Sequence, residues 1–307
     1  MHNNIFKIIL YFDVFSYPLK EEEIVSYSRR NRNDAFIMQT LNDLRKKGLV
    51  KYQDGYYFVG DPVIIERRKK GNILAEKRLQ TAMRYTRIIS WFPFVRSIML
   101  SGSISKGYMG ENDDIDYFIV TKPGRLWIAR TLLTVFKKIF LRNSYRNFCI
   151  NFFLDSKNLE IKEKSRYSAT EIIFLLPVFK SDIYYRIIQK NLWVKKFYPE
   201  FEQKNNKCIE NEIWLKKWIE KLFNNRLGDK IEDLLFRKSV KFIKRKYSKP
   251  GNQSFENNFS LKRNELRYFP DGKHDQINRD FNLKINEFEN RFGLALSDLE
   301  KLKAIAG

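Results

Sequence analysis

Three observations predict an α+β fold. The 307 residues are 43% hydrophobic and 15% aromatic, a composition that can bury a core and excludes global disorder. Long stretches carry apolar residues at helical spacing, and between them lie dense apolar runs of strand length at 95–100, 117–120 and 148–154. The length suits about two domains, and the pattern breaks the chain into segments 1–60, 61–94, 95–164 and 165–307.

The charge balance, 58 Lys plus Arg against 36 Asp plus Glu, leaves +22. Such an excess suits a polyanionic partner such as nucleic acid, nucleotide or anionic lipid; an AT-rich genome would produce it as well, and both readings stay open. Cys149 and Cys208 are the only cysteines and His2 and His274 the only histidines, which excludes a disulfide framework and argues against a histidine-based zinc site. The apolar stretch Ile5–Leu10 is interrupted by Lys7 and followed by Asp13, unlike a signal peptide. No run reaches the roughly 18 apolar residues of a membrane span. The expectation is a soluble cytoplasmic protein without a transmembrane segment.

Residues 4–59 read as three short helices and a hairpin. Ile5, Ile8, Ile9 and Phe12 form a helical stripe that Pro18 ends, and Glu21–Tyr27 makes a second helix. Asp34 caps a third, with Phe36, Met38, Leu41 and Leu44 on its buried side and Gly48 closing it. Leu49–Tyr52 and Tyr56–Val59 flank Asp54-Gly55, a dipeptide suited to a type I′ turn. With the third helix ending in "LRKKGLV", this segment resembles a winged helix-turn-helix. It carries only +2 of the net charge. Arg29, Arg30, Arg32, Lys46 and Lys47 are candidate phosphate contacts, so DNA binding stands beside a packing or protein-contact role. Residues 63–90 read as one helix packed through Ile64, Ile65, Ile73, Leu74, Leu79 and Met83, with Arg67–Lys70 exposed and Pro93 ending it.

The candidate chemistry follows. The strand 95–100 leads into Gly102-Ser103, a polar turn reaches Asp114-Ile115-Asp116, and a second strand continues over 117–120. Gly102 lets a phosphate approach the backbone, Ser103 supplies a hydroxyl, and amides there can form an anion nest. Carboxylates two residues apart leave one face of a strand, which gathers the hard oxygen ligands that Mg²⁺ on nucleotide phosphates requires. The plain alternative is a solvated acidic turn. Asp113, of opposite parity, reads as orienting the loop.

An apolar strand, Gly-Ser, ten residues and then Asp114-Ile115-Asp116 resemble the nucleotidyltransferase superfamily that shares its fold with DNA polymerase β and includes aminoglycoside and minimal nucleotidyltransferases. The resemblance covers residues 95–160. It implies a small mixed-sheet core, flanked here by the winged-helix-like segment and a C-terminal helical domain. It also implies Mg²⁺ (or Mn²⁺) held by Asp114 and Asp116, and a nucleoside triphosphate gripped at Gly102 and Ser103. Ser105 and Lys106 lie in the same turn, the lysine either facing pyrophosphate or simply exposed. Superfamily members carry a third carboxylate on a later strand. Here the residue at the centre of 148–154 is Asn151, with Asp155 at the strand end and Glu171 beyond, so the third position is Asn151, Asp155, Glu171 or vacant.

The remainder reads as mostly helical. Ser168 and Glu171 have capping-box spacing, and Ser181 opens another helix with Ile183, Ile187, Leu192, Trp193 and Val194. "CINFFLDSKNLEI", "TEIIFLLPVF" and "QKNLWVKKFYPE" also resemble a bacterial group that joins a winged helix to this core, which implies no particular substrate. Residues 237–249 hold seven basic residues, among them Lys238, Lys241, Arg245 and Lys249, with Phe242 and Ile243 between. That pattern suits nucleic acid, anionic lipid, or a solvated face packed through Val240 and Ile243. Residues 250–264 read as a loop, and 267–277 as an extended segment, a turn at Asp271-Gly272 and the cap of a last helix, His274 being a loop residue. The partners expected are a nucleoside triphosphate and RNA or another polyanionic acceptor. A nucleotide-sensing regulator without catalysis is the alternative.

Overall fold

The computed structural model describes residues 2–28, 34–142, 144, 146–199, 201, 203–247, 255, 259–268, 273–293, 295, 296 and 298. The fold is mixed α and β, and the chain divides into two compact units, 1–71 with 193–202 and 274–307, and 72–192 with 203–273. The expected 165–307 block is therefore not one domain: its last helix belongs with the N-terminus, and its middle supplies strands to the central sheet.

In the first unit α1 (His2–Asp13), α2 (Glu21–Ser28) and α3 (Asp34–Lys46) surround a small antiparallel sheet of β1 (Leu19–Lys20), β2 (Lys51–Gln53) and β3 (Tyr56–Phe58), ordered β1-β3-β2. Asp54 and Gly55 both take positive φ, 52° and 82°, as a type I′ turn requires. Gly48, at φ 65°, ends α3, where Leu49 N–H returns to the Leu44 carbonyl. The fully buried side of α3 is Ile37, Thr40, Leu41 and Leu44: it keeps Leu41 and Leu44 of the expected set, but Ile37 and Thr40 replace Phe36 and Met38, which are half-buried. On α1 Ile5, Phe6, Ile8, Ile9, Leu10, Tyr11 and Phe12 are all buried. The last helix, α11 (Lys273–Phe292), explains this: Phe288 packs on Phe6, Phe281 on Tyr11, and Lys284 pairs with Asp13 at 2.6 Å. Arg68, expected to be exposed, is 4% exposed, stacks 3.4 Å over Tyr17 and pairs with Glu23 at 2.8 Å. Arg29, Arg30, Arg32, Lys249 and the expected turn at Asp271-Gly272 lie outside the described residues.

The second unit is built on a mixed sheet ordered β7-β4-β5-β6-β9-β8. Its members are β4 (Val95–Ser101), β5 (Asp116–Thr121), β6 (Cys149–Asp155), β7 (Leu176–Phe179), β8 (Phe259–Leu261) and β9 (Glu265–Tyr268). Strands β4 and β5 run antiparallel, and β5 and β6 parallel, with α6 (Leu126–Phe140) as the crossover. The long helix α4 (Val63–Ser90) buries Ala75, Ala82 and Ile89 in one core with Ile98, Leu100, Tyr117, Ile119, Trp127 and Leu133, whereas Ile73 is exposed. Helix α10 (Arg226–Tyr247) adds Ile243 and Val240 to that core, and its Glu232 caps α6, accepting the Trp127 and Ile128 N–H groups at 2.8 Å each.

Two helical expectations are corrected. The run "FLLPVF" holds the strand β7, paired with β4, and the preceding α7 (Arg166–Ile173) is capped by Ser165, whose hydroxyl accepts the Ser168 N–H. Ser168 lies inside α7, and Glu171 is turned to another partner. Ser181 does precede α8 (Asp182–Lys190), but its side chain makes no capping bond. Within the expected 250–264 loop, Phe259–Leu261 is strand β8.

Candidate functional site

The site forms where β4 ends and β5 begins. Ser101 and Asp116 are register partners, so the turn that follows β4 lies beside the first residue of β5. Gly102 opens α5 (Gly102–Ser105), a single turn, at φ +68°. A Cβ there would sit 2.5 Å from Asp116 Oδ2, so only glycine lets the backbone come this close to the carboxylate.

Asp114 lies in the turn before β5, so strand alternation alone does not bring the two carboxylates together. Ile115 between them is held on both sides by backbone hydrogen bonds. Its N–H donates to the Arg146 carbonyl and its carbonyl accepts from Cys149 N–H, both at 3.0 Å, which pins the fully buried Ile115 side chain into the core. Asp114 and Asp116 on either side stay half-buried, and both act on the Cys149 thiol. Burial, then the Asp116 carboxylate to which the thiol hydrogen-bonds, then Asp114, push that thiol up from its usual range.

Asp113 orients the loop: its carboxylate accepts the Gly110 N–H at 2.8 Å. Arg78 of α4 clamps the same loop to the approach of β6. It donates to the Asp113 and Arg146 carbonyls at 2.6 Å each and to Asn147 Oδ1 at 3.0 Å.

On β6, the two residues between Cys149 and Phe152 lie opposite the single residue between Asp116 and Phe118 on β5, so β6 carries a bulge beside Asp116. Asn151 lies in that bulge, half-buried, and donates to Cys149 Sγ at 2.8 Å. Asp155 is elsewhere. It is paired with Thr121, about 16 Å from the Asp116 end at roughly 3.3 Å per residue, and its buried carboxylate accepts from the Lys157 and Asn158 N–H groups. It closes the turn after β6 and is removed from the site.

The turn residues divide in a similar way. Ser105 is buried and its hydroxyl donates to the Gly102 carbonyl at 2.8 Å, so it shapes the turn rather than facing a ligand. Lys106 donates to the same carbonyl at 3.1 Å and pairs with Glu171 at 2.8 Å, tying the turn to α7. The Ser103 hydroxyl, half-buried, is not taken up by any described residue.

Two neighbours escaped the sequence reading. Lys137 continues the Ala129–Leu133 buried stripe of α6, and a lysine at such a position was the available signal. Burial draws its ammonium down to about 8, while Cys149 and Asp114 nearby pull the other way. Tyr167 of α7 is pushed up by burial and then by Glu171 and Asp116, which places its phenol at the site's edge.

Among the described residues no group of three or more His, Cys, Asp and Glu gathers for a metal. Two carboxylates beside an approachable backbone fit a different situation, because Mg²⁺ is commonly held by one or two carboxylates plus the substrate's phosphates. Asp114 and Asp116 therefore fit an ion shared with a nucleotide and do not fit a resident all-protein site. No protein-family model, curated protein or solved structure matches the chain. No helix of the described residues is long and apolar enough to cross a membrane.

Proposed function

We propose that the second unit is a nucleotidyltransferase core that transfers a nucleoside monophosphate from a triphosphate to an acceptor hydroxyl. The observation that carries this reading is the contact between Gly102 and the Asp116 carboxylate, which brings a phosphate-approachable backbone and a hard oxygen ligand together. Asp114 and Asp116 would hold the Mg²⁺, which supplies neutralisation of charge building on the phosphates. The Gly102 backbone and the Ser103 hydroxyl would grip the terminal phosphates and orient the α-phosphorus for in-line attack by the acceptor oxygen. The bond to pyrophosphate breaks as the new P–O bond forms, and the acceptor proton passes to solvent. Lys106 and Glu171 hold the turn in place. The basic excess suits RNA or another polyanion as acceptor.

Asn151 favours a second reading. It occupies the bulge where the superfamily pattern implies a carboxylate, so a core that binds nucleotide without turning it over is the alternative. The first unit's three helices and β1-β3-β2 sheet support a winged helix that would couple such sensing to DNA or protein. The test is to incubate the purified chain with α-labelled ATP, CTP, GTP or UTP, Mg²⁺ and total RNA or lysate. Label transfer that disappears in D114A/D116A supports the enzyme. Mg²⁺-dependent nucleotide binding without transfer supports the sensor, and the absence of both binding and transfer removes nucleotide chemistry from this site.

A further inference from the structure

Helix α9 (Trp214–Phe223) is packed with its sides reversed. Its polar side faces inward. Lys216, 1% exposed, donates to the Val95 carbonyl at 2.6 Å and pairs with Glu212, and Glu220 takes both Arg96 nitrogens at 2.8 and 2.6 Å and the Phe94 N–H at 2.6 Å. These bonds fix the helix against the start of β4. The opposite arc is apolar and exposed: Trp214 70%, Trp218 64% and Leu222 68%, with Leu215 beside them. Lys217 and Lys221, both exposed, border that arc. After two residues α10 continues the pattern, with exposed Leu227, Leu234 and Phe242 at helical spacing among exposed Lys238, Lys241 and Arg245.

We propose that the outer faces of α9 and α10 dock the protein on an anionic lipid bilayer as a peripheral membrane protein. Tryptophans bordered by lysines are what an interfacial helix presents, the rings entering the headgroup boundary and the ammonium groups meeting lipid phosphates. Charge complementarity selects the occupant. A second copy would bring two lysine rims together in a chain of net +22. A nucleic acid would meet the lysines but offer no apolar phase to Leu215, Leu222 and Leu227. The bilayer satisfies both parts of the surface, and the polar anchor keeps the apolar arc outward in its absence. This inference is independent of the nucleotide chemistry.

The full chain should be mixed with vesicles of phosphatidylcholine alone and with about 30% phosphatidylglycerol, read by co-sedimentation and tryptophan emission. Binding at least tenfold tighter to the anionic vesicles, with a blue shift, is expected. W214A/W218A should lose about tenfold while melting like the wild type. Because lysines near such a surface contribute about fivefold each, K217E/K221E should lose at least 25-fold. Equal or absent binding to both vesicles, or wild-type sedimentation of both variants, overturns the proposal. So does a requirement for the two tryptophans in RNA capture or self-association in place of lipid binding.

Discussion

Gly102 faces the Asp116 carboxylate across a gap that one methyl group would close, since a Cβ there would lie 2.5 Å from Oδ2. Two costs coincide at this position. An L-residue at φ +68° is strained by about 1–2 kcal/mol, and the methyl must also displace the carboxylate. Gly107 separates them, because it has the same φ of +68° but nothing within 4 Å of its Cβ. We predict that Gly107→Ala costs about 1 kcal/mol and leaves Mg²⁺-dependent nucleotide binding unchanged, whereas Gly102→Ala weakens that binding at least tenfold. Calorimetric titration with a non-hydrolysable triphosphate, beside thermal melts, reads both. Equal nucleotide affinities in the two variants would detach Asp116 from the phosphate-binding turn.

Asn151→Asp tests what the bulge in β6 lacks. It would put a third carboxylate near Asp114 and Asp116 and replace the amide that donates to Cys149 Sγ. Like charges gathered in a half-buried site repel. The variant should therefore melt below the wild type in chelator and recover more than the wild type on adding millimolar Mg²⁺. A metal-independent loss would mean that Asn151 serves only the thiol.

Lys106 and Glu171 are 14% and 27% exposed at the side chain and 2.8 Å apart. A double-mutant cycle of K106M and E171Q should give a coupling of about 1–2 kcal/mol, above the median for surface pairs because both groups are largely covered. If the pair positions the turn, E171Q should raise the KM for nucleotide with little change in kcat. A falling kcat at constant KM would move Lys106 from support of the turn to the reacting phosphates.

The elements that carry the site were legible because their information is local. The strand 95–101, the glycine turn and the acidic pair each announce themselves by run length, a residue demanding positive φ, or spacing. What the sequence hid was long-range. Glu232 caps α6 from more than a hundred residues away, so no N-cap residue marks that helix start. The strand β7 looked helical because "FLLPVF" has no alternation, and its burial comes from pairing with β4. Arg78 and Lys137 sit in buried helix stripes, where a single charged residue reads as an interruption until its distant partners are known. Asp155 fits the parity of Asn151, but the bulge and the length of β6 put it at the wrong end of the sheet.

In the first unit, Glu23 is the partner of a guanidinium that cannot reach water. Arg68 also donates to the Pro18 carbonyl at 3.3 Å and stacks on Tyr17, but Glu23 is its counter-charge. Removing one member of a buried pair leaves the other charge uncompensated, typically for about 3–5 kcal/mol. Glu23 keeps 21% exposure, so Glu23→Ala should fall at the lower end, about 3 kcal/mol, in denaturant unfolding. A loss below about 1 kcal/mol would show that stacking and the carbonyl suffice for Arg68.

Glu212 gives the second unit a predicted acid response. It lies 2.8 Å from Lys216 and 3.0 Å from Lys180. Burial alone would raise its pKa, but the hydrogen bonds and charges of the two lysines outweigh that and bring it down to about 2. An unfolded glutamate titrates near 4.3, so between these values the unfolded chain binds more protons than the native one. The stabilisation is therefore complete above about pH 4.5 and drains away as the pH falls towards 2. Losing it also strands Lys216, whose own pKa is lowered by burial and held up by Glu212. The wild type should show a steep fall in Tm between pH 4.5 and 2.5. Glu212→Gln should melt lower at pH 7 and fall less steeply across the same window, the two curves converging in acid. Parallel curves would assign the acid sensitivity to other carboxylates and leave α9 held by Glu220 and by the Lys216 bond to the Val95 carbonyl.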